Sequence, residues 1–402
     1  MLINNKDIVM VGLQSWDNEI GSNSKNIAIE FAKHNRVLFV DYPLDRRSII
    51  SYKNNPLIAK RIKLLKTKSG NLKEVDKNLW NFFPLCILES CNWLAFTWMF
   101  RIVNRINNKR YAKQIKLAIK QLGFKDFILF NDNDLFRCYH LQEMLRPALS
   151  IYYSRDYLMG VPYWYKHGHK LEPEIIAKSD MVIANSIYLS ELAMGKNKHT
   201  YYIKQGCDIH NFDYSKVNGV PYDIAIVKSP IIGFVGTINI IRLDIELIEY
   251  IAQKRPAWNI VLVGPQDEAF EKSNLHAMEN VFFTGVKREE LLAGYIAKFD
   301  VAINPQKLND VTVGNYPRKI IEYLAMGKPV VATETSAMQI FSQHVFLANS
   351  KESFVQLIEK ALMENTDEKI KERTCFANKH TWQNSVSEMY SAIADRKPVF
   401  NN

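Results

Sequence analysis

Short apolar runs alternate along the chain with longer stretches in which apolar residues recur every three or four positions. Runs of the first kind mark strands buried on both faces of a parallel sheet, and stretches of the second kind mark the helices that cover it. Strands are predicted at 8–13, 36–41, 79–83, 127–131, 149–153, 181–185 and 200–203 in the first half. In the second half they are predicted at 231–235, 259–263, 281–284, 301–304, 330–333 and 345–347. The class is α/β, with a parallel sheet and crossover helices in each half. Residues 208–230 carry Asn, Asp, Gly and Pro with little periodicity and are the expected linker and hinge. Domains are therefore expected at 1–207 and 208–378. Residues 379–402 are expected to cross back to the first domain as a helix that includes His380, Trp382 and Ala394.

Composition adds bounds to this picture. The chain has 402 residues, 47% of them apolar, which is material for two cores of roughly 200 residues each. The run Ile8 to Leu13 is too short for a signal peptide, so no secretion signal is expected. Five cysteines (Cys86, Cys91, Cys138, Cys207, Cys375) form no Cys-x-x-Cys pair, which points to a reducing cytoplasm and away from structural zinc.

The net charge of +10 is uneven: residues 1–205 hold 31 Lys and Arg against 18 Asp and Glu, and residues 46–125 alone hold 18 against 3. Such a basic half implies a phosphate-rich partner or a solvated lysine surface. Within it, residues 85–103 gather Trp93, Phe96, Trp98, Met99 and Phe100 ahead of Arg101 and Arg105. Glu89, Ser90 and Asn92 interrupt the run too early for a membrane span. The segment reads either as an interfacial helix at an anionic membrane or as a core helix with exposed cations.

Chemistry concentrates at 315–333. Lys319 and Glu322 are three apart, hence neighbours on a helix that Pro317 opens and that Gly327 and Pro329 end. A lysine near a helix N-terminus suits phosphate, and a glutamate one turn deeper suits a ribose diol. Upstream, strand ends supply Gly236, followed by Thr237 and Arg242, then Gly264 and Gly285, where ligands of open α/β sheets bind.

With these motifs in place, the chain resembles the GT-B glycosyltransferases of the large family 4-like group, and most of all its teichuronic-acid-type members. The likeness rests on Gly233-Phe-Val-Gly236, Val263-Gly264, Thr284-Gly285, Phe299-Asp300-Val-Ala-Ile-Asn-Pro305, Pro317-Arg-Lys-Ile-Ile-Glu322-Tyr-Leu-Ala-Met-Gly327, Glu172 to Ser186, and Lys204-Gln-Gly-Cys-Asp208. It implies a GT-B fold, two Rossmann-like domains with parallel sheets facing a central cleft. It also implies that Glu322 binds ribose, that Arg242 and Lys319 hold the diphosphate, that the turn after Gly285 meets the base, and that Tyr316 and Arg318 join the donor site. Where many relatives carry another glutamate, this chain has Gly314.

The implied activity is transfer of a sugar from a nucleoside-diphosphate sugar, UDP-sugar favoured, to a hydroxyl of a glycan or polyprenyl-diphosphate-linked acceptor in surface polysaccharide synthesis. No metal or other cofactor is expected. The setting is the cytoplasm, at the inner face of the membrane. Alternatives are a nucleotide-sugar epimerase of the same architecture and a non-catalytic nucleotide- or nucleic-acid-binding protein.

The first half is expected to hold the acceptor. The loop after the first strand has no histidine, so the candidate bases are Asp17 and Asp156, and the subgroup resemblance favours Asp156. Trp16, Gly21, Ser22 and Asn23 are the candidate acceptor loop and phosphate-binding helix start, with Arg155 beside Asp156. Asp132-Asn-Asp134 follows a strand as a metal-binding Asp-x-Asp would, but reads better as strand-end residues.

Overall fold

The computed structural model describes residues 3–17, 22–217, 219–314 and 316–396, which form two compact units. The first runs to Lys204 and takes up the chain again from Ser385; the second is Gln205–Asn384.

The first unit contains β1 Asp7–Gly12, β2 Arg36–Val40, β3 Leu44–Asp45, β4 Leu72–Asp76, β5 Leu79–Phe82, β6 Ile87–Leu88, β7 Ile128–Asp132, β8 Leu149–Ser154, β9 Met181–Ala184 and β10 Thr200–Tyr202. Eight of them form one sheet in the order β10-β9-β8-β7-β1-β2-β5-β4, and β3 and β6 pair separately. All of its pairings are parallel except β4 with β5. Strands β1, β7 and β8 are buried at every position, as strands covered on both faces must be. Burying each such Ile, Leu or Phe contributes about 1.5–3 kcal/mol.

Sequence order reverses between β1 and β7, so the crevice beyond their carboxyl ends is where ligands of this topology bind. The helix Trp382–Arg396 supplies Met389, Tyr390 and Ile393 to buried positions. Asn35 Nδ2 donates to Tyr390 Oη at 2.9 Å, and Arg396 Nε donates to the Asp180 carbonyl at 2.9 Å.

The second unit holds β11 Ile231–Val235, β12 Asn259–Val263, β13 Val281–Gly285, β14 Val301–Asn304, β15 Val330–Thr333 and β16 Phe346–Ala348, all parallel, in the order β13-β12-β11-β14-β15-β16. This is the Rossmann order 3-2-1-4-5-6, with its switch point between β11 and β14. Alternate residues feed two cores: Ile231 and Val235 enter one with Ile320 and Leu324, while Ile232 and Phe234 enter the other with Ile248 and Ile358.

Residues 85–103 are not one helix. Loop and the short β6 precede the helix Thr97–Leu122, because Asn107 on that helix accepts from the Glu89 amide and donates to its carbonyl, both at 2.8 Å, holding the segment extended. No helix among the described residues is long and apolar enough to cross a membrane.

Candidate functional site

The helix Arg318–Ala325 stands beyond the switch point of the second unit. Pro317 occupies its N-cap, Gly327 turns it off with φ +68°, and Arg373 donates twice to the Gly327 carbonyl, at 3.0 and 2.8 Å. Its placement against β11 is fixed by Tyr323, whose buried hydroxyl accepts from the Val235 amide at 2.8 Å. These contacts aim the first turn at a cavity of about 280 Å³ lined by Gly236, Arg242, Tyr316, Arg318, Lys319 and Glu322. Six of the residues singled out from the sequence for a nucleotide are therefore in one place.

The electrostatics of the cavity are set by the burial of Lys319 and Glu322 and by the cations beside them. Burial, with Arg242 adding repulsion, lowers the Lys319 pKa from its usual 10.5 to about 7. Its ammonium stands 3.9 Å from the centroid of the Phe234 ring. Burial likewise raises the Glu322 pKa, against the pull of Arg318 and Lys319. Arg318 Nε lies 2.9 Å from Glu322 Oε1, one turn away on the same helix. Arg242 is exposed at the rim, and no ion pair of its guanidinium occurs among the described residues.

Gly236 and Gly264 end β11 and β12 with φ of +144° and +143°, and a Cβ on Gly264 would meet the Gly236 carbonyl oxygen at 1.9 Å. Gly264, Gly285 and Thr237 do not line the cavity. Gly264 and Gly285 form the strand-end floor, where the Gly264 amide donates to the Gly285 carbonyl at 3.0 Å, and Thr237 is exposed. The sequence reading missed Leu243, Leu292, Gln306 and Thr312 as lining residues, and Asn304 as well, although it ends β14 at the switch point. The strand-end rule singles out Asn304; the others have no local signal.

In the first unit a second constellation gathers beyond β1, β7 and β8. Arg155 donates through Nε to Asp132 Oδ1 and through Nη1 to Asp156 Oδ2, both at 2.7 Å. Asn133 Oδ1 accepts from the Arg155 and Asp156 amides. Asp132 also accepts from Ser24, in the first turn of the helix Asn23–Ala32, and Ser22 caps that helix with its hydroxyl on the Lys25 amide. Burial raises the Asp132 pKa, with Arg155 and Ser24 opposing it. The Arg155 cation is firmly retained: burial disfavours it, but Asp132 and Asp156 outweigh that and raise its pKa. Asp156 keeps 41% of its side chain exposed, so it is the accessible carboxylate of the group.

Asp17 is placed differently. It bonds Arg61 at 2.9 Å and Lys60 at 3.5 Å, and these cations outweigh its burial and lower its pKa. Trp16 packs edge-on against Phe39, donates its amide to Asp41 at 2.8 Å, and lies under the Lys25 ammonium at 4.9 Å. Asn23 opens the helix, and Gly21 lies outside the described residues. Asp134 is committed to Arg137 and to the amides of Phe136 and Arg137. No group of three or more His, Cys, Asp or Glu suited to a metal occurs among the described residues.

Residues 229–364 match the family described as "Glycosyl transferases group 1". The chain is 30% identical over 226 residues to the putative teichuronic acid biosynthesis glycosyltransferase TuaH of Bacillus subtilis, a match that covers 52% of this chain and 56% of that protein. The chain thus spans little more than half the length of that relative. Two solved structures are similar over nearly all of the chain. Sucrose-phosphate synthase from Thermosynechococcus elongatus has a TM-score of 0.67 at 14% identity, over 98% of this chain and 100% of that one. HepE from Anabaena, solved in complex with UDP, has a TM-score of 0.64 at 14% identity, over 97% and 100%. The match to the family described as "Glycosyl transferases group 1" is thus confined to residues 229–364, while the chain as a whole has the GT-B fold of two Rossmann-like domains.

Proposed function

We propose that the protein is a glycosyltransferase that moves a sugar from a nucleoside-diphosphate sugar, UDP-sugar first, to a hydroxyl of a glycan or lipid-linked glycan in surface polysaccharide synthesis. The observation that carries the reading is the convergence of Lys319, Arg242 and Glu322 on one cavity at the switch point of a Rossmann sheet. In this reading Lys319, Arg242 and the first turn of the helix Arg318–Ala325 hold the diphosphate and stabilise it as it leaves. Glu322 takes the ribose hydroxyls, Tyr316 and Arg318 complete the donor site, and the turn after Gly285 faces the base.

The acceptor hydroxyl attacks the anomeric carbon while Asp156 removes its proton, and Arg155, fixed by Asp132, orients Asp156. Ser22, Asn23 and Trp16 belong to the acceptor side. Two cations at the diphosphate supply the charge that a divalent metal supplies elsewhere, so EDTA is expected to leave turnover unchanged. The basic, aromatic first unit supports a peripheral position for the enzyme on the inner face of an anionic membrane. The relatives support this direction: one is described for teichuronic acid synthesis and another was solved with UDP.

Thermal shift against UDP and GDP, with and without Mn²⁺, tests the donor site in wild type and Glu322→Ala. Metal-free stabilisation by one nucleotide that the variant loses supports the assignment, and no response to either sinks it.

A further inference from the structure

A cavity of about 760 Å³ lies in the first unit between the loop 88–93 and the starts of the helices Thr97–Leu122 and Pro162–Lys178. Its size is that of a small-molecule site, roughly 300–1,000 Å³. Most polar side chains of the lining are already engaged, and the buried Oδ1 of Asn92 is left without a partner among the described residues. Asn107 is spent on the Glu89 backbone, Asn104 donates to the Phe136 carbonyl at 2.9 Å, and Asp45 accepts from Ser90 and Ser48. What remains for a ligand is chiefly ring surface from Tyr42, Tyr52, Trp93, Tyr163 and Trp164, with Arg47 as an exposed cation that has no ion pair among the described residues; the exposed Lys166 is held on the Trp93 carbonyl.

That inventory fits a phosphate attached to hydrocarbon. A free saccharide needs several open hydrogen-bonding partners, and of the buried side-chain polar atoms in the lining Asn92 Oδ1 alone is without one among the described residues.

The mouth leads onto an apolar surface. Trp93, Phe96, Trp98 and Ile102 are 74%, 61%, 62% and 57% exposed. Trp98, Ile102 and Ile106 are spaced by four and so share a helix face. Large side chains exposed in such a row mark an interaction surface. The segments are pinned to one another: Lys166 Nζ donates to the Trp93 carbonyl, Asn92 Nδ2 donates to the Tyr163 carbonyl, both at 2.9 Å, and His167 stacks on Phe100 at 4.3 Å. The surrounding stretch 46–125, with 18 cations against 3 anions, complements an anionic lipid surface.

We propose that this cavity holds the phosphate and the first isoprene units of the polyisoprenyl-diphosphate anchor of a lipid-linked glycan acceptor, with Arg47 on the phosphate and the aromatic walls on the chain, while the Trp98–Ile102 face rests in the bilayer interface. The proposal rests on the glycosyltransferase reading for the identity of the lipid and adds the place where that lipid is held.

The test uses the full chain and farnesyl phosphate below its micelle concentration, read by quenching of intrinsic tryptophan fluorescence. Saturable quenching is expected from farnesyl phosphate and not from farnesol or inorganic phosphate. Arg47→Ala and Tyr163→Ala, both at exposed positions, are each expected to weaken it about tenfold. Trp98→Ser with Ile102→Ser is expected to keep that binding and to lose flotation with phosphatidylglycerol vesicles. Equal affinity for Arg47→Ala and wild type, or equal competition by dihexanoyl-phosphatidylglycerol, overturns the proposal. Stabilisation by UDP is measured on the same samples. A protein that binds UDP but no isoprenyl phosphate defeats this inference alone, and one that binds neither defeats the donor assignment as well.

Discussion

The Lys319 ammonium faces the Phe234 ring at 3.9 Å, and its burial, with Arg242 adding repulsion, lowers its pKa from 10.5 to about 7. A base whose pKa is depressed on folding binds fewer protons folded than unfolded between those two values. The penalty this group sets on folding is therefore full below about pH 7, and stability rises as it is relieved between about pH 7 and 10.5. A bound diphosphate reverses the shift by pairing with the ammonium. UDP binding is thus expected to take up close to one proton at pH 8 to 9, and UDP affinity to fall as pH rises from 7 to 9. Calorimetry in two buffers of different ionisation heat measures the uptake. Lys319→Arg, which stays charged, should flatten the dependence, while a wild-type affinity that is flat from pH 7 to 9 removes Lys319 from the diphosphate.

Arg318 and Glu322 make the second measurable pair. The 2.9 Å contact holds the glutamate near the cavity, and a ribose diol has to bond the same carboxylate. Hydrogen bonds to a charged group contribute about 1.5–3 kcal/mol, so wild type should prefer UDP over 2′-deoxy-UDP by roughly 10- to 100-fold. Glu322→Gln should bring the two ligands within a few-fold of each other. If the preference survives the substitution, the ribose lies elsewhere.

Much of this was legible before any coordinates, and the exceptions have physical causes. Strands buried on both faces announce themselves as apolar runs, and 231–235, 259–263, 301–304 and 330–333 agree with β11, β12, β14 and β15 residue for residue. The edge strand β4, Leu-Lys-Glu-Val-Asp, was invisible because four of its five residues are exposed and carry no alternation. The two-residue β3 and β6 are set by tertiary contacts alone. In the cavity at the β11–β14 switch point the helix from Arg318 was readable because its chemistry is consecutive, whereas Gln306 and Thr312 arrive by chain folding. The Asp132–Arg155–Ser24 set was hidden for the same reason, its members being 23 and 108 residues from Asp132.

Gly264 offers a test of backbone rather than side chain. A Cβ there would stand 1.9 Å from the Gly236 carbonyl oxygen, at a φ that L-residues rarely adopt. Backbone strain of this kind costs about 1–3 kcal/mol before any clash is relieved. Gly264→Ala is expected to lower the unfolding free energy measured in urea by at least that amount and to weaken UDP binding, because the displaced oxygen belongs to Gly236, which lines the cavity. Thr237→Ala, at an exposed position off the cavity, should change neither. Wild-type stability in Gly264→Ala shows that the strand ends yield more easily than their spacing indicates.

The two candidate bases separate on their partners. Asp17 is tied to Arg61 and Lys60, which hold its carboxyl below the usual range, and a weakly basic carboxylate is a poor proton acceptor. Asp156 shares Arg155 with a buried Asp132 and presents 41% of its side chain to solvent, so an acceptor hydroxyl can reach it. Asp156→Asn should cut kcat by roughly 10²- to 10⁴-fold with UDP affinity unchanged, the range of a lost general base. Asp17→Asn should leave kcat within a few-fold while lowering stability by about 1.5–3 kcal/mol, the worth of a charged hydrogen bond to the largely buried Arg61. Steady-state kinetics and urea unfolding on both variants decide the matter. If Asp17→Asn loses turnover and Asp156→Asn loses only stability, the roles are reversed, and the Arg155–Asp132 pair is a structural clamp rather than a support for the base.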